Sequence, residues 1–150
     1  LIINNIIHKK QLPIYGDGKN IRDWLYVKDH CAALDSVINY GESGETYNIG
    51  GNEEKTNLEI VNIICSVLDK KIPLKNGLEY SDSIVYVKDR PGHDFRYAID
   101  SSKIKSKLNW QPKYKFEDAI INTIDWYIQN QSWWDKILNN KYNLNRLGSK

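Results

Sequence analysis

Apolar residues recur along the chain at two spacings, and the changes between them mark its elements. The opening Leu1-Ile2-Ile3-Asn4-Asn5-Ile6-Ile7-His8-Lys9-Lys10 reads as the back half of an amphipathic helix. Leu12-Pro13-Ile14-Tyr15 is extended, and the glycines of Gly16-Asp17-Gly18-Lys19-Asn20 mark a turn. Ile21-Arg22-Asp23-Trp24-Leu25-Tyr26-Val27 is rich in branched and aromatic residues and predicts a strand. Asp29 is placed to cap a helix carrying Ala33, Leu34, Val37 and Ile38 on one face, with Gly41 as its stop. Thr46-Tyr47-Asn48-Ile49 predicts a second short strand, ended by Gly50-Gly51.

The clearest helix start is at Thr56, which forms a capping box with Glu59 ahead of Leu58, Val61, Ile64, Cys65 and Leu68 at helical spacing. Tyr80 to Val87 alternates like a strand. Asp100 or Ser101 then caps a short helix through Leu108, with Asn109 as a left-handed stop. Pro112 breaks the chain, and a helix from about Glu117 packs Ile120, Ile121, Ile124, Tyr127 and Ile128. Trp133 and Trp134 add a further turn of packing. Residues 1–138 read as one domain, incomplete at its N-terminus, and the Asn-rich residues 139–150 as a polar tail that frays. Helices separated by few, widely spaced strands predict an α/β fold whose sheet takes strands from elsewhere.

Composition narrows the function classes. The chain has 150 residues, 41% of them hydrophobic, with five Trp and ten Tyr, which is globular rather than disordered composition. A formal charge of +2 gives no reason to expect nucleic acid as a partner. No apolar run is long enough for a membrane helix, and the first segment lacks the basic leader and cleavage site of a signal peptide. Cys31 and Cys65 each fall in a helical pattern without metal-ligand spacing, so they read as buried thiols in a reducing compartment, the cytoplasm.

The chemistry concentrates in Val87-Lys88-Asp89-Arg90-Pro91-Gly92-His93-Asp94-Phe95-Arg96-Tyr97-Ala98-Ile99-Asp100. Pro91 fixes φ and Gly92 tolerates angles that other residues resist, so the stretch bends sharply between charged groups. An arginine held there can donate two parallel hydrogen bonds to a phosphate; a solvated turn with surface charge is the bland alternative. Gly16-Asp17-Gly18 is no dinucleotide loop, because no third glycine follows and the next element is a strand. His8, His30 and His93 lack metal spacing, no Ser-His-Asp set can be assembled, and no Tyr-x-x-x-Lys pair occurs. The sequence offers groups that could hold an anion, with no catalytic residue and no metal site among them.

Several long segments in order carry a resemblance. Leu12-Pro13-Ile14-Tyr15-Gly16-Asp17-Gly18, Ile21-Arg22-Asp23-Trp24-Leu25-Tyr26-Val27-x-Asp29-His30, Tyr47-Asn48-Ile49-Gly50-Gly51, the loop from Asp89 to Asp100, Leu108-x-Trp110-x-Pro112 and Thr123-x-x-Trp126-Tyr127 together resemble the dTDP-glucose 4,6-dehydratases. These belong to the extended Rossmann-type short-chain dehydrogenase/reductase group, and the likeness covers the chain to about Trp134. It implies the C-terminal, substrate-binding portion of such an enzyme. In the family the N-terminal half supplies the NAD loop, the Tyr-x-x-x-Lys pair and the acidic pair that removes water, and none of these matches a position here. The resemblance implies a parent that converts dTDP-glucose to its 4-keto-6-deoxy product with loss of water, usually as a homodimer, and a fragment that is inactive alone. Carried over residue by residue, it implies that Pro13, Ile14 and Tyr15 line the nucleotide pocket and that Arg22 and Arg90 hold the diphosphate. Asn57 would be a polar nucleotide contact, while His93 and the backbone of Asp89, Pro91 and Gly92 would complete the wall. The bland alternatives are an Arg22 paired with Asp23 or Asp29, a Tyr15 in the core, and an Asn57 that only begins a helix. Arg96 and Tyr97 are left to structure. A related epimerase or decarboxylase portion, or a non-catalytic nucleotide-sugar-binding module, are the alternatives.

Overall fold

The computed structural model describes residues 1–141. Along the chain run α1 (Ile2–Ile7), β1 (Leu12–Tyr15), β2 (Ile21–Asp23), α2 (Val27–Tyr40), β3 (Glu54–Thr56), α3 (Asn57–Lys71), β4 (Ile84–Val87), β5 (Arg96–Tyr97), α4 (Ser102–Leu108), α5 (Phe116–Gln129) and α6 (Gln131–Lys141), with 3-10 turns at Lys75–Gly77 and Tyr80–Ser83. β1 pairs in parallel with β4. A second sheet has β2 at its centre, antiparallel to β3 and parallel to β5. The expected α/β mixture is present.

Helix α3 organises the main core. The Thr56 hydroxyl accepts from the Glu59 N–H at 3.1 Å, and the Glu59 carboxylate accepts from the Thr56 N–H at 2.7 Å, as the capping box requires. Ile60, Val61, Ile64, Cys65 and Leu68 are buried by this helix against Ile3, Ile6, Leu12, Ile14 and Ile124. Burying a residue such as Leu68 fully is worth roughly 1.5–3 kcal/mol. A smaller cluster gathers Ala33, Ile104 and Trp110.

The structure corrects several expected boundaries. β2 ends at Asp23, and α2 starts at Val27 behind Tyr26. Asp29 lies inside the first turn of α2 and caps nothing in it. Its buried carboxylate accepts from the N–H groups of Lys113 (2.9 Å) and Tyr114 (3.3 Å), 84 and 85 residues away. On α2 only Ala33 of the expected face is fully buried; Leu34 and Ile38 are exposed. Of the two thiols expected to be buried, Cys65 is, whereas Cys31 is exposed. Residues 46–49 form no strand, although Tyr47 and Ile49 pack against the smaller cluster. An extended segment needs a neighbouring strand to complete a ladder, and this one has none among the described residues.

The run from Tyr80 also divides. Ser81-Asp82-Ser83 draws the backbone into a 3-10 turn, with the Asp82 carboxylate accepting from the Glu79 N–H at 3.1 Å, so β4 begins only at Ile84. Asn109 has φ 52°, the left-handed stop expected of it. The second tryptophan, Trp134, is buried, its indole N–H donating to the Tyr127 carbonyl at 2.9 Å, whereas Trp133 is exposed. Helix α6 runs to Lys141, past the expected start of the tail at 139; residues 142–150 lie outside the described residues.

Candidate functional site

Parallel pairing puts the ends of β1 and β4 side by side, so the Gly16 turn and the Asp89 loop leave the sheet together. The Gly16 N–H donates to the Val87 carbonyl at 3.0 Å. Gly16 has φ +59°, and a Cβ there would stand 3.0 Å from the Asp89 carboxylate. After Asp89, the chain turns back through Pro91 and Gly92. Gly92 has φ +65° and the His93 N–H donates to the Arg90 carbonyl at 3.2 Å, the pattern of a type II turn with Pro and Gly in their preferred places.

This turn forms one wall of a cavity of about 310 Å³ lined by Arg22, Arg90, Pro91, Gly92, His93, Asp94 and Tyr97. Arg22 reaches it from β2. Its guanidinium donates to the carbonyls of Ile21 (2.6 Å) and Asp94 (3.0 Å) and lies over the Tyr97 ring at 5.1 Å. Arg90 enters from the loop, lying 5.5 Å from the centre of the Tyr15 ring and contacting the His93 Nε2 at 2.8 Å. Both arginines are thus held by carbonyls, rings and an imidazole.

The carboxylates nearest these cations in sequence are engaged in other hydrogen bonds. Asp23 accepts from the N–H groups of Gly51 and Glu53, both at 2.9 Å, and Asp29 holds Lys113 and Tyr114. In the loop, Asp89 accepts from the His93 Nδ1 at 2.6 Å, and that bond leads the causes that hold its carboxyl below the usual range. Asp94 takes a hydrogen bond from the Tyr97 hydroxyl, which, first among its causes, pushes that phenol up. Among the described residues, neither Arg22 nor Arg90 forms an ion pair. Two guanidinium groups outside any direct ion pair face one small cavity, with Asp94 in its lining hydrogen-bonded by Tyr97 and Asp89 close enough to Arg90 to feel its charge, an arrangement that can take an anion between the arginines.

The other expected site residues are divided. Tyr15 is half-buried beneath Arg90, so it belongs to the site. Ile14 is 3% exposed in the main core, which removes its side chain from any pocket and leaves only its main chain to line one. Pro13 is half-buried on β1 opposite Val85, outside the cavity lining. Asn57 opens α3 and gives its N–H to the Asn20 carbonyl at 3.0 Å; it too lies outside the cavity lining. Arg96 is structural as expected, bonding Glu54 through Nε (2.6 Å) and a terminal nitrogen (2.7 Å). Tyr97, left to structure, is a wall of the cavity, because the parallel β2–β5 register sets it opposite Arg22. Asn20 was missed altogether. It is buried and donates to the Asp94 carbonyl at 3.3 Å, tying the Gly16 turn to the loop. Neither contact has a local sequence signal, since each joins residues more than 70 apart.

Neither glycine pair can cradle a dinucleotide. The Gly16–Gly18 turn leads into a strand, and a Cβ on Gly18 would meet Ile14 at 2.7 Å. A Cβ on Gly51 would collide with the Trp24 carbonyl oxygen, so that glycine serves close backbone approach. Neither turn therefore supplies a dinucleotide loop for NAD. The described residues also contain no group of His, Cys, Asp and Glu able to hold a metal ion, and no helix long and apolar enough to cross a membrane.

Fold and site define a class: an α/β portion of the extended short-chain dehydrogenase/reductase type. Residues 1–123 match the family described as GDP-mannose 4,6 dehydratase, and the chain belongs to that family. It is 50% identical over 149 residues to the dTDP-glucose 4,6-dehydratase of Xanthomonas campestris pv. campestris, covering 99% of this chain and 42% of that protein. A dTDP-glucose 4,6-dehydratase of Bacillus anthracis, solved in complex with NAD, superposes with a TM-score of 0.78 at 46% identity over 91% of this chain and 40% of the other. The dTDP-glucose 4,6-dehydratase of Streptomyces venezuelae, solved with NAD and TYD bound, gives 0.80 at 38% identity over 91% and 39%. The chain thus spans about two fifths of the length of these relatives, and it matches their C-terminal portion.

Proposed function

We propose that this chain is the nucleotide-sugar-binding portion of a dTDP-glucose 4,6-dehydratase, and that the cavity between Arg22 and Arg90 holds the diphosphate. The observation that carries this reading is the pair of guanidinium groups that face one cavity without a direct ion pair. Each can donate in parallel to a phosphate oxygen pair, Tyr15 supplies a flat support beneath Arg90, and Tyr97 supports Arg22. The relatives named dTDP-glucose 4,6-dehydratase supply the reaction: conversion of dTDP-glucose to the 4-keto-6-deoxy sugar nucleotide with loss of water. NAD would supply the hydride chemistry and is held by a part of the parent outside this sequence, since neither glycine turn here forms a dinucleotide loop. The chain alone then binds without turning over. The parent works as a homodimer in the cytoplasm, where Cys31 and Cys65 remain free thiols.

Calorimetric titration with thymidine diphosphate tests the reading. Arg22→Ala and Arg90→Ala each remove charge-assisted hydrogen bonds worth on the order of 1.5–3 kcal/mol, so affinity should fall roughly ten- to more than a hundredfold. Arg90→Lys should recover only part, because an ammonium keeps the charge and loses the fork. Unchanged affinity in both alanine variants overturns the assignment. A preference for uridine over thymidine diphosphate would point instead to an epimerase or decarboxylase portion.

A further inference from the structure

We propose that His93 is a positioning residue that holds Arg90 in place for a diphosphate, and is not itself a ligand contact. The inference rests on the diphosphate reading above and deepens it. The His93 side chain is only 4% exposed, and both ring nitrogens are taken. Nδ1 lies 2.6 Å from the Asp89 carboxylate and Nε2 lies 2.8 Å from an Arg90 guanidinium nitrogen.

The partners fix the proton. An ionised carboxylate only accepts and a guanidinium only donates, so one ring satisfies both when Nδ1 carries the hydrogen and Nε2 presents its lone pair. Asp89 thus selects the tautomer, and the tautomer holds the arginine. The Asp89 carboxylate is seated in turn against the Gly16 turn, where a side chain would crowd it. The Tyr15 face closes the other side of Arg90.

The purpose of a ring in that position follows from hydrogen bonding. If Asp89 bonded Arg90 directly, the carboxylate would occupy guanidinium N–H groups that a phosphate needs. The imidazole between them transmits the geometry and keeps Arg90 out of a direct ion pair, while Asp89 still acts on it through space. The free site keeps its cation oriented before the ligand arrives, which saves the ordering of a long side chain on binding.

Three measurements on the full chain test this. Long-range nitrogen–proton NMR of His93 should show a protonated Nδ1 and a bare Nε2 both before and after thymidine diphosphate is added. A protonated Nε2 in the free protein, or an Nε2 that becomes a donor on binding, overturns the proposal. In titrations with thymidine diphosphate, His93→Phe should weaken binding about tenfold by releasing Arg90. His93→Gln can donate to Asp89 and accept from Arg90, and should stay within about threefold of the wild type. Glutamine as weak as phenylalanine, with both variants folded by circular dichroism, would sink the relay. Finally, adding His93→Phe to Arg90→Ala should cause no further loss, since the ring acts only through that arginine. Additive losses would make His93 an independent contact. Normal binding by Arg90→Ala would instead overturn the diphosphate reading, and the role of the relay with it.

Discussion

Asp23 and Asp29 show how far residue type alone can mislead. Each stands near Arg22 in sequence and looks like its counter-ion. Each is spent on backbone N–H groups from distant segments instead, which is what frees the arginine. Asp29→Ala should therefore act on stability: it strands two donors, at about 1–3 kcal/mol for each that stays buried, read as a shift in urea unfolding. Asp29→Asn keeps an acceptor and should lose less. A comparable effect is expected at Gly51, where the obstacle is space. Gly51→Ala drives a methyl into the Trp24 carbonyl, whereas Gly44 has nothing within 4 Å and only a φ of +86° to object. Gly44→Ala should thus be the milder of the two in the same assay.

Among the elements, those with local signals were legible. The Thr56–Glu59 capping box, the Asn109 stop and the apolar spacing of α3 and α5 all act within a few residues, and sequence showed them. Strands were harder, because pairing is what makes one: β3 is the polar Glu54-Lys55-Thr56 and β5 only Arg96-Tyr97, while the better-looking 46–49 has no partner here. The same division holds for the site. Arg22, Arg90 and the Pro-Gly bend were readable, and Asn20 and Tyr97 were not, since only the assembled sheets bring them in. The three-stranded sheet carries its own pH signature. Glu54 on β3 and Arg96 on β5 clamp across β2, and that bond, first among its causes, lowers the Glu54 carboxyl below its ordinary value. A depressed folded-state value means stabilisation that is present above the unfolded-state value of 4.5 and lost as pH falls through the folded one. Acid unfolding should therefore be less steep in Glu54→Gln than in the wild type, measured by fluorescence between neutral pH and pH 3.

For the molecule as a whole, the outer face of α2 is the conspicuous feature. Val27, Cys31, Leu34 and Ile38 are exposed at helical spacing, with Ile38 82% exposed. Contiguous apolar surface of this kind promotes association in water. The 150-residue chain should show concentration-dependent mass in light scattering, and Leu34→Lys with Ile38→Lys should reduce it. Thymidine diphosphate affinity should be unaffected by that pair, because neither residue lines the cavity. Persistent monomer in the wild type at high concentration would show that the stripe is tolerated.

The side-by-side exit of β1 and β4 has a kinetic corollary. The Asp94 carbonyl takes its hydrogen bonds from Asn20 and Arg22, across 74 and 72 residues of chain. Arg22 is placed by the β2–β5 pairing and Arg90 follows the β1–β4 pairing, so both ladders contribute to bringing the two guanidinium groups together. High contact order slows the assembly of such a region, and the loop-closure entropy falls due before any contact there is made. Anion recognition is therefore a late property of this polypeptide, acquired with its most non-local contacts and lost with them, whatever helix content survives.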